Sequence, residues 1–102
     1  MSHFKLVYRE FPEVLKGKIP GFTAKGHDGE LTIMIDEDLT DAEKNLVLRH
    51  ELSHIALGHL NDDRTKNDHS YLTNLTELEN EADQYADRMT DEEFTNLMKY
   101  AV

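Results

Sequence analysis

"RHELSHIALGH", residues 49–59, is the stretch on which the reading of this chain turns. His50 and His54 stand four apart, with Glu51 directly after the first. On an α-helix, positions i and i+4 share a face roughly 6 Å apart, so both imidazoles can reach one ion at the Zn–N distance of about 2.0–2.1 Å. Glu51 is rotated about 100° from His50, which sets it beside such an ion, where it can take the proton of a metal-bound water. That is the mechanical content of H-E-x-x-H. Alone the pattern does not decide, because chance placement yields it roughly 0.04 times in a chain with this many His and Glu. The competing reading is a buried helix whose histidines bond to backbone. Two unpaired histidines on a largely apolar helix would each need a partner, and that favours ligation.

Working outward, Thr40 and Glu43 have the Thr-x-x-Glu spacing of a capping box, and Asp41 and Glu43 sit where the helix dipole favours acids. The spacing predicts a helix from Thr40 to about Gly58, which suits a C-cap. Leu48, Leu52 and Ile55 share one face, and Leu46, Val47 and Leu57 extend the apolar surface. Only Arg49, Ser53 and Ala56 read as a weakly polar strip, so the helix is expected to be mostly buried. Upstream, residues 17–36 read as a β-hairpin: Leu31, Ile33 and Ile35 alternate with Thr32, Met34 and Asp36, and Asp28-Gly29 supplies the turn. Phe4 to Phe11 reads equally as a strand or a short helix, interrupted by Pro12. Downstream, residues 60–73 form a polar connection, a second helix is expected at about 75–89, and Thr90 with Glu93 starts a final helix to the C-terminus.

The chain of 102 residues predicts a single domain over 1–102 with a thin core, to which a bound metal would add stability. With 21 Asp plus Glu against 11 Lys plus Arg, the formal charge is −10. Such a surface repels phosphate backbones and anionic membranes, so direct nucleic-acid or membrane binding is not expected. The absence of cysteine removes disulfides, thiolate metal sites and thiol nucleophiles, and fits a reducing compartment. The start, with charges at Lys5, Arg9 and Glu10, has no apolar core of signal-peptide length, and nothing approaches the roughly 18 apolar residues of a membrane span. A soluble cytoplasmic protein is expected.

Zinc held by two histidines needs a third protein ligand. The second helix offers "TELENEADQYAD", residues 76–87, whose acids in the ordinary case form a solvated face. Glu79 and Asp83, however, lie four apart beside Ala82 and Ala86, which allow close helix approach. Glu79 as ligand, with Asp83 hydrogen-bonding a ligand histidine, would supply the carboxylate that metal-bound imidazoles usually have behind them. Glu81 points some 200° away from Glu79, so Glu79 is favoured over Glu81 as the ligand.

"HELSHIALGH" followed by "ELENEADQYA" resembles the ImmA/IrrE family of small zinc metallopeptidases. Its pattern is HExxH, often continued as Leu-Gly-His, then a downstream E-x-E-A-(N/D)-x-(F/Y)-A. Glu79, Glu81, Ala82, Asp83, Tyr85 and Ala86 fill the second part, and the resemblance spans about residues 31–88. It implies one Zn²⁺ held by His50, His54 and Glu79, with Glu51 as general base. It also implies an α+β, minimal zincin-like domain: a small antiparallel sheet or hairpin beside the active-site helix, with two further helices. Members are often encoded by phages or mobile elements, and several act on a DNA-binding repressor.

Other residues weigh less. The longer metzincin pattern would place a histidine at position 60 and a glycine at 57, where Leu60 and Leu57 stand. His59 therefore reads as a partner of the helix dipole or a rim residue. His69 and Tyr71 are candidates to polarise a substrate carbonyl, although Tyr71 is more simply packing. His3 and His27 read as surface residues, and Met34, Met89 and Met98 as core filler. The expected activity is zinc-dependent hydrolysis of a peptide bond in a protein substrate, for which a repressor-type regulator is a candidate. If the strand at Leu31–Ile35 edges the cleft, it can pair an extended peptide by β-addition. The rival is a zinc-stabilised interaction module that binds a regulator without cutting it.

Overall fold

The computed structural model describes residues 3–61 and 76–102, with Asn61 described by its backbone alone. The hairpin forms as expected, from β2 (Gly21–Lys25) and β3 (Leu31–Asp36), paired antiparallel from Gly21↔Ile35 to Lys25↔Leu31. Its turn is closed by the Gly29 N–H donating to the Gly26 carbonyl (3.0 Å), and Asp28 Oδ1 accepts from the Glu30 N–H (3.0 Å). Gly29 sits at φ 84°, a conformation that side chains avoid.

The segment that read as strand or helix is strand β1 (Phe4–Arg9), and it pairs parallel to β3 from Phe4↔Leu31 to Arg9↔Asp36. The sheet order is β1-β3-β2, so the sheet is mixed where a small antiparallel one was expected. Nothing local to Phe4–Arg9 could reveal this, because a parallel partner is supplied by a crossover from distant sequence. It also places β3 in the centre with both edges paired. The expected β-addition of a peptide at Leu31–Ile35 is therefore excluded.

Helix α1 (Asp41–Ala56) begins at Thr40 with both bonds of the capping box: the Glu43 N–H donates to Thr40 Oγ1 (3.2 Å), and the Thr40 N–H to Glu43 Oε1 (3.0 Å). Leu48, Leu52 and Ile55 join Phe4, Leu31, Ile33, Ile35 and Met89 in one buried cluster. Burying each such side chain contributes roughly 1.5–3 kcal/mol. The polar strip is not where it was expected. Leu46 is 69% exposed, whereas Ser53 is buried and its hydroxyl donates to the Arg49 carbonyl (2.7 Å). Arg49 instead reaches across to the Met89 carbonyl (3.1 Å) and Asp91 Oδ1 (2.7 Å), over the Phe94 ring. The C-terminal half of α1 is the buried half.

Helices α2 (Thr76–Arg88) and α3 (Asp91–Met98) follow, completing an α+β fold of three strands and three helices among the described residues. The Thr90 hydroxyl caps α3 by accepting from the Glu93 N–H (3.1 Å). That helix stops at Met98, short of the C-terminus, because the last residues pair with β1. The Phe4 N–H donates to the Tyr100 carbonyl (3.1 Å), and the Val102 N–H to the Phe4 carbonyl (2.9 Å). Met89 is core, as expected; Met34 and Met98 are half-buried.

The seat of α1 on β2 depends on Gly21. A Cβ there would lie 2.6 Å from Val47 Cγ1 and 3.0 Å from the Met34 carbonyl oxygen. Gly21→Ala is expected to destabilise the fold by about 1–3 kcal/mol, read as a lower midpoint of urea unfolding. An unchanged midpoint would show that α1 is not held this closely.

Candidate metal centre

One turn of α1 separates His50 and His54, and their rings meet edge to face with centroids 4.8 Å apart. The two Nε2 atoms are 3.1 Å apart. Ala82 and Leu78, both buried, let α2 lie against α1 and bring Glu79 over the pair. Glu79 Oε1 lies 2.8 Å from His54 Nε2, and Oε2 lies 3.1 Å from His50 Nε2. One donor atom from each of these three residues can be chosen so that all lie within 4.8 Å of one another. Bonds of about 2.0–2.1 Å to a tetrahedral ion require donors roughly 3.3–3.4 Å apart, so this set fits zinc with adjustments of a few tenths of an ångström. Among the described residues it is the one group that could hold an ion.

The outer ends of both imidazoles are also engaged. Asp83 Oδ1 is 2.7 Å from His50 Nδ1. His54 Nδ1 meets His59 Nδ1 at 2.9 Å, and His59 Nε2 lies 3.0 Å from Glu81 Oε1. His59 is thus not a rim residue: it is 1% exposed. Gly58, at φ 71°, ends the helix by donating its N–H to the Ile55 carbonyl (3.1 Å). A glycine in that left-handed cap turns the chain back, so that the residue after it touches the last helical turn. That contact is usually apolar; here it is imidazole on imidazole. The Leu-Gly-His sequence held this signal. His69 and Tyr71 lie outside the described residues.

Glu51 is 5% exposed, and its Oε1 accepts from the hydroxyl of Thr23 on β2 (2.8 Å). Thr23 was not singled out from sequence; an inward threonine on a strand looks like any packing residue until its partner is known. Burial raises the Glu51 carboxyl from the ordinary 4.5 to about 7, against the opposing pull of Thr23 and His50 and with a further push from Glu79. His54 is driven the other way, to about 3, by burial first and then by His50 and His59. It is neutral near pH 7, the form that ligates metals. His50, Glu51, Glu79 and Asp83 line a cleft of about 490 Å³ together with Ile19, Pro20, Phe22, Leu46 and Val47.

A three-donor cluster on two helices, with a buried carboxyl beside it and an apolar cleft in front, has the make-up of a metallopeptidase-like domain. Residues 8–101 match the family model described as the IrrE N-terminal-like domain of M78 peptidases, and the chain belongs to this ImmA/IrrE family. No curated protein and no solved structure matches it. Among the described residues, no helix is long and apolar enough to cross a membrane.

Folding raises the Glu51 carboxyl, so its protonated form favours the folded, metal-free chain. That contribution is full below pH 4.5 and is lost as pH rises through about 7. Thr23→Val removes a bond to the carboxylate and is expected to push the midpoint higher still, read by NMR titration of the Glu51 carboxyl carbon in metal-free protein. A midpoint that falls would contradict the role given to Thr23.

Proposed function

We propose that this protein is a zinc-dependent metalloendopeptidase that hydrolyses a peptide bond in a protein substrate in the cytoplasm. The observation that carries the reading is the convergence of His50, His54 and Glu79 at the same cleft that Glu51 lines. His50, His54 and Glu79 would hold a zinc ion, which would supply Lewis-acid activation of the scissile carbonyl and of the attacking water.

The chain's own groups do the rest. Glu51 Oε1 is held by Thr23, which leaves Oε2 to take a proton from the attacking water. As the water oxygen bonds to the carbonyl carbon and the C–N bond breaks, that proton passes from Oε2 to the leaving amine nitrogen. The apolar wall of Ile19, Phe22, Leu46 and Val47 shields the carboxyl from bulk water and offers a surface for substrate side chains. As for partners, the net charge of −10 favours a basic protein surface over nucleic acid or membrane, and the DNA-facing surface of a repressor from a phage or mobile element is of that kind.

Glu51→Gln is expected to retain one zinc per chain by metal analysis and to lose peptide hydrolysis by about 10²–10⁴-fold. The assay incubates the protein with the host's DNA-binding regulators and maps fragments by mass spectrometry. If Glu51→Gln acts on the regulator as well as wild type does, the protein is instead a zinc-stabilised module that binds without cutting. His54→Ala is expected to abolish stoichiometric zinc; full zinc content in that variant would remove the site.

A further inference from the structure

The two ligand histidines are braced differently. His50 has a carboxylate directly behind it, Asp83 Oδ1 at 2.7 Å. His54 lies a turn deeper, at 1% exposure, and has another imidazole behind it. Between the carboxylates of Glu79 and Glu81 the structure therefore strings two imidazoles, Glu79 Oε1–Nε2 His54 Nδ1–Nδ1 His59 Nε2–Oε1 Glu81, at 2.8, 2.9 and 3.0 Å.

With one N–H on each ring, the two imidazoles of such a chain point their hydrogens in one of two directions. If His59 Nδ1 donates, His54 Nε2 carries a hydrogen and points it at Glu79, and His59 Nε2 is left lone pair to lone pair against Glu81. If His54 Nδ1 donates, His59 Nε2–H points at Glu81, and His54 Nε2 presents its lone pair to the donor cluster. Only the second arrangement binds a metal. The two carboxylates pull in opposite directions, and an ion that engages Glu79 removes the competitor.

We infer that His59 and Glu81 are positioning residues for the metal ligand His54: Glu81 holds His59 as the Nε2–H tautomer, and His59 Nδ1 then accepts the Nδ1–H of His54. This rests on the zinc reading of His50, His54 and Glu79. Glu81 is 45% exposed, so solvent can partly replace it, whereas His54 and His59 are each only 1% exposed. The effect is therefore graded. A residue present only to fill the helix end would be replaced by phenylalanine without loss of zinc, because the contact after a helix-ending glycine is ordinarily apolar.

The test measures zinc affinity of the full chain by chelator competition, with the unfolding temperature of each metal-free variant as the control for folding. His59→Phe is expected to weaken zinc about 10–100-fold, the range for partners behind a metal ligand. Glu81→Leu is expected to weaken it about tenfold, and Glu81→Gln less, since its carbonyl still accepts from Nε2–H. Because Glu81 acts through His59, adding Glu81→Leu to His59→Phe is expected to cost nothing more. Imidazole nitrogen shifts of the zinc-loaded wild type are expected to report His59 as Nε2–H. The inference is overturned if wild type binds zinc but both single variants stay within twofold of it, if the two losses multiply, or if His59 is Nδ1–H. Glu81→Leu and Glu81→Gln sit at the surface and keep the test decisive should His59→Phe not fold. A wild type that binds no zinc overturns the metal reading itself, and the positioning role with it.

Discussion

The seat of α1 on the sheet, where Leu48, Leu52 and Ile55 cluster with Ile33 and Ile35, fixes where every other element can sit. It buries a full turn near the end of α1: residues 51–55 are all buried, and three of those five are polar or ionisable. A buried polar group without a partner is costly, so each needs one within reach. Each has one: Glu51 with Thr23, Ser53 with the Arg49 carbonyl, and His54 with Glu79 and His59. Among the described residues no buried side-chain polar atom lacks a hydrogen-bond partner. The polar centre is thus satisfied at the depth of the core.

The same burial does opposite things to the two groups it encloses. It drives the Glu51 carboxyl up and the His54 imidazole down, because desolvation penalises whichever form is charged. Burial is the leading cause in both, and both groups are thereby brought toward neutrality. Three of the five acids of α2 reach histidines, and helical position decides which. Glu79 faces the two Nε2 atoms, Asp83 lies one turn on against His50 Nδ1, and Glu81 reaches His59 from the adjoining side. Ala82 is small enough for the helices to come together between them.

Much of this was legible in the residues. The His50–His54 spacing, the Thr40–Glu43 box, the Asp28-Gly29 turn and the Glu79–Asp83 pair each depend on neighbours within five residues, and all lie where local geometry placed them. His59 was misjudged although its signal was local, because a histidine after a helix-ending glycine looks like a surface residue until the buried turn beneath it is recognised. The burial of Ser53 and exposure of Leu46 were inverted, because apolar periodicity tells which residues share a face but not how far along the helix the core extends.

The contacts that a helix or a turn makes with itself follow from local spacing alone: capping, the i to i+4 pair of His50 and His54, the chain reversal at Gly58. Long-range packing alone sets β1 parallel to β3, makes β3 central and closed to a further strand, and brings Thr23 to Glu51. These contacts join residues far apart in the chain. Their partners are chosen by which packing buries the most apolar surface without stranding a polar group, a property of the whole chain rather than of any short stretch.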